Sequence, residues 1–241
     1  EQRLALAREV RARHDEGATL NNLGLAHVDL GDIDEATQCY LLAQAIAVEI
    51  GDARFLADVL GNLGVVCRKL GEPLAAVGLY EQQCVLAKQN GDRRGEGRAL
   101  ANLGNLRREQ ADLGRAIDCY REAVSIAKDT GDIRLEGLIL VNFGLALNDS
   151  GNFAGALDHF NRASDIAHQL GDSRTEASAH FNASVAIHAN GESESAIARA
   201  EVAVEIYQTI SDSTSVRVLR FISAWRASDI STMSPPSPMS I

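Results

Sequence analysis

A row of asparagines at constant spacing is the feature of this sequence most able to do chemistry. Asn22, Asn62, Asn102, Asn142 and Asn182 lie 40 residues apart, and the first four precede Leu-Gly or Phe-Gly. An asparagine side chain offers two N–H donors and a carbonyl acceptor on one short arm. Such amides, arranged on one surface, could bind the main chain of an extended peptide without reading its sequence. The alternative is that each amide bonds to the adjacent helix, because buried amides usually have internal partners.

Basic residues add a second candidate feature in the middle of the chain, which is otherwise acidic with a formal net charge of -10. They could hold an acidic peptide by charge-assisted hydrogen bonds, although long basic side chains on solvated helices are ordinary. The acidic balance argues against general nucleic-acid binding, which needs cations to neutralise phosphates. The predicted partner-binding residues are Asn22, Asn62, Asn102, Asn142, Asn182, Arg68, Lys69, Arg98, Asn105 and Arg108.

Catalytic and metal-binding patterns are not found in the sequence. The six histidines form no HExxH motif and no recurring metal spacing. The glycines of Gly91-x-x-x-Gly95-x-Gly97 follow a predicted helix and not a strand, so the context for phosphate binding is missing. No nucleophile and base are paired. We therefore predict a protein that is not an enzyme and needs neither a cofactor nor a metal.

Cysteine usage and hydropathy favour a cytoplasmic protein. Cys39, Cys67, Cys84 and Cys119 show no CxxC spacing, and small buried cysteines are typical of a reducing compartment. A span would need a run of about 18 apolar residues, and the sequence has none. The prediction is a cytoplasmic chain without a membrane span.

The elements that must position the asparagines follow from a second marker with the same period. Gly51-Asp52, Gly91-Asp92, Gly131-Asp132 and Gly171-Asp172 also recur every 40 residues, and Ser211-Asp212 closes the series. Aspartate is a strong N-cap and glycine a common residue after a helix end. A fixed period in this range indicates stacked units rather than one globular core. Within each unit, two apolar helical faces are separated by a short break, which predicts an antiparallel helical hairpin.

The break inside each hairpin has its own signature. Most repeats place glycine there, followed by a polar residue that starts the second helix, as in Gly71-Glu72 and Gly151-Asn152. We expect a positive φ at this position. The third repeat carries Ala111 instead, which would be strained in a left-handed conformation.

The residues predicted to pack the helices together recur with the same 40-residue period. Small residues recur at Ala36, Ala76, Ala116, Ala156 and Ala196, where the second helix must approach the first closely. Large rings follow four residues later at Tyr40, Tyr80, Tyr120 and Phe160. We interpret this aromatic stripe as core rather than as a cofactor site, because small and large residues interlock at interior density.

The small alanine, the Leu-Gly of the first helix and the ring of the second resemble the tetratricopeptide repeat. That repeat is usually about 34 residues long, so a 40-residue form has longer helices. The longer form is similar to the arrays of spindle-orientation adaptors of the Pins/LGN type, of kinesin light chains and of bacterial STAND-type signalling ATPases. The resemblance covers residues 14–212. It implies an all-α, right-handed superhelical solenoid of antiparallel helix pairs, with about five repeats and a C-terminal capping helix.

The predicted organisation has four parts. Residues 1–13 are the end of a truncated preceding repeat, and residues 14–212 are the five-repeat solenoid. Residues 213–230 form the capping helix, because a solenoid end must be covered. Residues 231–241, rich in serine and proline, are a disordered tail.

The resemblance also implies that the first helix of each pair lines a concave groove. The predicted function is a protein-interaction scaffold that binds a peptide or partner segment, an acidic one included, through the asparagine ladder and the central basic band. One alternative is a regulatory sensor array from a larger signalling ATPase or transcription regulator. Another alternative is a module that forms homo-oligomers through exposed solenoid ends.

Overall fold

The computed structural model describes residues 2–210 and 212–227, with side chains given for 9–210 and 212–226. All regular structure in these ranges is α-helical, as predicted. The predicted tail at 231–241 and the last residues of the predicted capping helix lie outside the described residues. The helices are α1 Gln2–Leu30, α2 Ile33–Ile50, α3 Ala53–Lys69, α4 Pro73–Gln89, α5 Arg93–Glu109, α6 Leu113–Asp129, α7 Ile133–Asp149, α8 Phe153–Leu170, α9 Ser173–Ala189, α10 Ser193–Thr209 and α11 Thr214–Ala227.

The chain divides into two compact units, Glu1–Leu106 and Arg107–Ile241. In unit 1, α1 packs on α2 and α3 on α4. In unit 2, α7 packs on α8, α9 on α10, and α10 on α11. We call the odd-numbered helices α1 to α9 the A helices and the even-numbered helices α2 to α10 the B helices. Each of these hairpins buries an apolar face that neither of its helices could bury alone.

The Gly-Asp junctions act as helix caps and as links between repeats. The Asp52 side chain accepts a hydrogen bond from the Phe55 amide at 2.9 Å, and Asp92 accepts one from Gly95 at 3.0 Å. Each capped helix thereby satisfies one of its free N-terminal amides. The Asp92 carboxylate also lies 3.5 Å from Nε of Arg54, in the preceding repeat. The same link recurs in unit 2 as Arg174 with Asp212, at 3.0 Å.

The predicted left-handed turn inside the hairpin is confirmed, including its unusual residue. Gly71 has φ 76° and Gly151 has φ 80°. Ala111 takes the same conformation with φ 59°, and it is the one non-glycine residue with positive φ in the described ranges. The turn geometry therefore overrides the steric preference of an L-residue at this position.

The glycine that follows Leu or Phe in the A helices explains how closely the two helices of a hairpin approach. A Cβ placed on Gly24 would lie 2.6 Å from Cε1 of Tyr40, and one on Gly144 would lie 2.6 Å from Cε1 of Phe160. Glycine is thus the residue on which the aromatic ring of the B helix rests. The predicted stripe of rings is confirmed as core, with Tyr40, Tyr80, Tyr120 and Phe160 at most 1% exposed.

The N-terminal helix is longer than the other A helices. Residues 1–13 are predicted to be the end of a truncated preceding repeat, and in the structure α1 runs unbroken from Gln2 to Leu30. The reason lies at the position of the missing junction. Arg11-Ala12 stands where other repeats carry Gly-Asp, so no left-handed residue and no cap interrupts the helix.

The last described helix, α11, packs on α10 and covers apolar side chains. Val218, Ile222 and Trp225 are buried in one cluster with Phe181 and Tyr207. The Trp225 ring stacks on His188 with centroids 4.6 Å apart. This arrangement covers an apolar face of α10.

Candidate protein-interaction surface

The asparagines of unit 1 lie on one side of its A helices. Asn22 on α1 is exposed, whereas Asn62 on α3 and Asn102 on α5 are half-buried. We call the surface formed by Asn22, Asn62, Asn102, Asp58 and Arg98 the asparagine face. The leucine and glycine that follow each of Asn62 and Asn102 are buried, whereas the asparagines themselves stay partly accessible.

One asparagine bonds to a neighbour that sequence reasoning missed. Asn62 Nδ2 donates to Asn21 Oδ1 at 2.8 Å, across successive A helices. Asn21 precedes Asn22 and has no counterpart in the later repeats, where Gly61, Ala101, Val141 and Phe181 stand. The doubled asparagine was the signal that could have revealed it. Asn62 therefore has a structural role in addition to any contact with a partner.

The predicted basic residues of unit 1 are not a strip of free cations. Arg98 Nη2 donates to Asp58 Oδ1 across successive A helices. Lys69 is exposed at the end of α3, and Arg68 beside it is half-buried. Asn105, the next predicted residue on α5, is half-buried as well. Asp58 neutralises part of the basic band, so the face presents a mixed charge pattern.

A shallow cleft of about 310 Å³ opens on the asparagine face between α1 and α3. It is lined by His14, Asn22, Arg54, Phe55 and Asp58, among others. The floor includes the Phe55 ring, which lies 5.5 Å from the ring of His14. The cleft thus combines an aromatic surface with an amide, a guanidinium and a carboxylate.

In unit 2 the predicted site residues are arranged less favourably. Asn142 on α7 is half-buried, and its Nδ2 makes a long 3.4 Å bond to the Leu138 carbonyl of its own helix. Arg108 pairs with Asp149 at 3.0 Å. Asn182 is only 1% exposed because α9 packs against both α8 and α10. Its side chain is therefore not accessible at the surface of this structure, and a contact of Asn182 with a partner stays a prediction.

Repeated α-hairpins with short capped turns and a polar side on the A helices define a helical-repeat protein. Tetratricopeptide-repeat models match residues 15–83 and 135–209, and a second such model matches residues 99–134. The chain belongs to the tetratricopeptide-repeat family. No curated protein matches it in sequence.

Solved structures of low sequence identity share the fold. A signal transduction ATPase with numerous domains and a tetratricopeptide-repeat sensor, from Pyrococcus horikoshii, gives a TM-score of 0.74 at 16% identity, covering 91% of this chain and 33% of that one. A kinesin light chain protein from Podosopora anserina gives 0.65 at 15% identity, covering 84% and 96%. A Rap protein complexed with competence and sporulation factor gives 0.72 at 14% identity, covering 86% and 58%. The chain thus spans little more than half of that Rap protein and a third of the ATPase.

The part of the chain that the structure describes contains no helix both long enough and apolar enough to cross a membrane.

Proposed function

We propose that the chain is a protein-interaction scaffold and that its asparagine face binds an extended segment of a partner protein. The observation that carries the proposal is the cleft of about 310 Å³ between α1 and α3, bordered by the exposed Asn22. The fold itself supports the general role, because tetratricopeptide repeats are interaction modules. The amides would bond to the partner's main chain, and the Phe55 ring would contact one side chain.

The expected strength of these contacts follows from hydrogen-bond energetics. Each amide bond contributes about 0.5–1.5 kcal/mol net, since it replaces a bond to water. Two such bonds lost together correspond to roughly a tenfold change in affinity, or somewhat more. Specificity would come from the charged neighbours Asp58, Arg98 and Lys69, because amide contacts to a main chain are independent of sequence.

The test is affinity for peptides selected by the wild-type chain from a randomised display library. We expect Asn62→Ala combined with Asn102→Ala to weaken binding at least about tenfold. Gln82→Ala, on the exposed side of α4, is the matched control and should leave affinity unchanged. Equal affinity of the folded double variant and the wild type would reject the proposal.

Asn21→Ala separates the two roles of Asn62. It removes the internal acceptor of the 2.8 Å bond but keeps the Asn62 amide. If Asn62 contacts the peptide, Asn62→Ala should weaken binding more than Asn21→Ala does. If Asn62 serves the fold alone, the two variants should lose similar stability and bind alike.

A second candidate is a sensor array within a larger signalling protein. It is favoured by the match to the sensor-bearing ATPase from Pyrococcus horikoshii, which has the highest of the three TM-scores given above. The sequence of the complete gene tests it. A nucleotide-binding motif encoded upstream of Glu1 would support the sensor role, and an open reading frame that encodes repeats alone would oppose it.

A further inference from the structure

The most unusual polar cluster of the described residues lies in unit 2, on α8, α9 and α10. A cleft of about 500 Å³ is lined by Asn161, Ser164 and Asp165 of α8, by Glu176 and His180 of α9, and by Arg199 of α10. His168 of α8 also borders it. The cluster thus brings together one guanidinium, two carboxylates and two imidazoles.

The cleft lies where the fifth repeat carries different residues from those at the same positions of the other repeats. His180 occupies the position that holds Leu20, Leu60, Leu100 and Leu140 in the four preceding A helices. Arg199 occupies the position of Cys39, Leu79, Cys119 and His159 in the preceding B helices. The four preceding repeats therefore carry leucine at the His180 position and no guanidinium at the Arg199 position.

The polar replacements are incompletely satisfied within the protein. His180 Nε2 lies 3.1 Å from Ser164 Oγ, and Arg199 Nη2 donates to Asn161 Oδ1 at 2.6 Å. His180 Nδ1 and Arg199 Nε are buried and have no hydrogen-bond partner in the protein. An unpaired buried polar atom destabilises a fold. Two such atoms beside one cleft make it a candidate for a ligand that would supply the missing hydrogen-bond partners.

Charges of both signs define what the occupant would be. Arg199 and the ring of His180 offer donors to an anionic oxygen, and burial lowers the pKa of both groups. Asp165 and Glu176 offer carboxylates, and Glu176 already lies 3.0 Å from Nδ1 of His168. The two carboxylates would repel a simple anion, and the guanidinium would repel a simple cation. A small molecule with both charges is complementary to the whole set.

We propose that this cleft binds a zwitterion of the size of a free amino acid. Its carboxylate bonds to Arg199 and His180, and its ammonium group lies between Asp165 and Glu176. A rotation of the Arg199 or His180 side chain would turn the unpaired nitrogen towards the bound carboxylate. The site is independent of the asparagine face, since all of its residues lie on α8, α9 and α10.

The test measures the melting temperature of the intact chain with each of the free L-amino acids at millimolar concentration. We expect at least one to raise Tm by about 2 °C or more. The N-acetyl and methyl ester forms of that amino acid each lack one charge and should raise Tm less. If none of the free amino acids raises Tm, the proposal is overturned.

Variants that restore the residue of another repeat give the sharper result. His180→Leu and Arg199→Leu should melt no lower than the unliganded wild type and should lose the ligand-induced shift. Asp165→Asn should weaken binding about tenfold, whereas Asp158→Asn, exposed on α8 outside the cleft, should not. A shift that persists in both leucine variants would overturn the proposal. So would leucine variants that melt well below the wild type, because the polar residues would then serve the fold.

Discussion

At the scale of single residues, polar side chains on the A helices bond to one another between successive repeats. Asn62 bonds to Asn21, Arg98 to Asp58 and Arg108 to Asp149, at separations of 40 or 41 positions. Exposed ion pairs contribute little to stability, about 0–1 kcal/mol each. Their main effect is to fix the positions of groups that a partner would contact.

The first residue-scale prediction concerns the strained turn. Ala111→Gly should stabilise the chain by about 1 kcal/mol, because glycine adopts φ near 59° without the clash of a Cβ. Gly151→Ala, at the matching turn of the next repeat, should destabilise it by a similar amount. Chemical denaturation measures both. A lower midpoint for Ala111→Gly would show that the conformation of this turn is not strained.

The second residue-scale prediction concerns pH. Burial lowers the pKa of His180 below its usual 6.5, and Arg199 lowers it further. The unfolded chain binds a proton near pH 6.5 that the folded chain does not yet bind, so stability falls as pH decreases below that value. Tm should therefore drop less for His180→Leu than for the wild type between pH 7.5 and 5.5. Burial also lowers the pKa of His188, so Tm of the His180→Leu variant should still depend on pH to some extent. If Tm fell equally with pH in the wild type and in His180→Leu, His180 would not be buried in its neutral form.

At the scale of elements, a ring of the B helix rests on a glycine of the A helix at Gly24, Gly64 and Gly144. This pairing ties the Asn-Leu-Gly sequence of the A helix to the aromatic residue of the B helix, as with Gly144 and Phe160. Interiors at this packing density respond to a single added methyl group. The register between the two helices therefore depends on a position with no side chain at all.

Substitution of Gly64 tests this packing. A Cβ on Gly64 would overlap the ring of Tyr80, so Gly64→Ala should destabilise the chain by about 2 kcal/mol. In a double-mutant cycle, Gly64→Ala should lower the free energy of unfolding less in the Tyr80→Leu variant than in the wild type. The control is Gly78→Ala in α4, where a Cβ meets no atom within 4 Å. It should stabilise the helix by up to about 1 kcal/mol. If both alanine variants gained stability, the ring would not rest on Gly64.

The sequence predicted the elements well because their signals are local. The N-cap of Asp52, the left-handed turn at Ala111 and the buried ring of Tyr80 follow from residue type and spacing alone. The candidate site was predicted less completely, because its contacts join residues 40 positions apart. Neither the burial of Asn182 nor the pairing of Arg98 with Asp58 can be read from one repeat.

At the scale of the whole molecule, repetition supplies the scaffold and departures from it supply candidate function. The small alanine recurs in all five B helices, and the glycine and the ring recur in the first four hairpins, where they pack the two helices together. Asn21 in the first A helix and His180 in the fifth break the pattern, and each lines a cleft. Units of a repeat protein contact mainly their neighbours, so a change in one hairpin leaves the others able to fold.

The charge pattern of the asparagine face gives a prediction for partner choice. Asp58→Asn should strengthen binding of an acidic peptide several-fold, because it frees the Arg98 guanidinium for the peptide carboxylates. Glu81→Gln, exposed on α4, makes the same change in net charge elsewhere. Titration with an acidic peptide and a neutral analogue measures the effect. Equal gains for both variants would mean that net charge alone acts and that Arg98 has no specific role.

The most direct test of the central claim is site-specific photo-crosslinking to a peptide selected by the wild-type chain. A photoreactive residue replaces Asn22 on the asparagine face, and in a second protein it replaces Gln82 on α4, which is also exposed. If the asparagine face binds the peptide, position 22 should give a strong crosslink that excess unlabelled peptide removes, and position 82 should give little. A crosslink from position 82 with none from position 22 would contradict binding at the asparagine face.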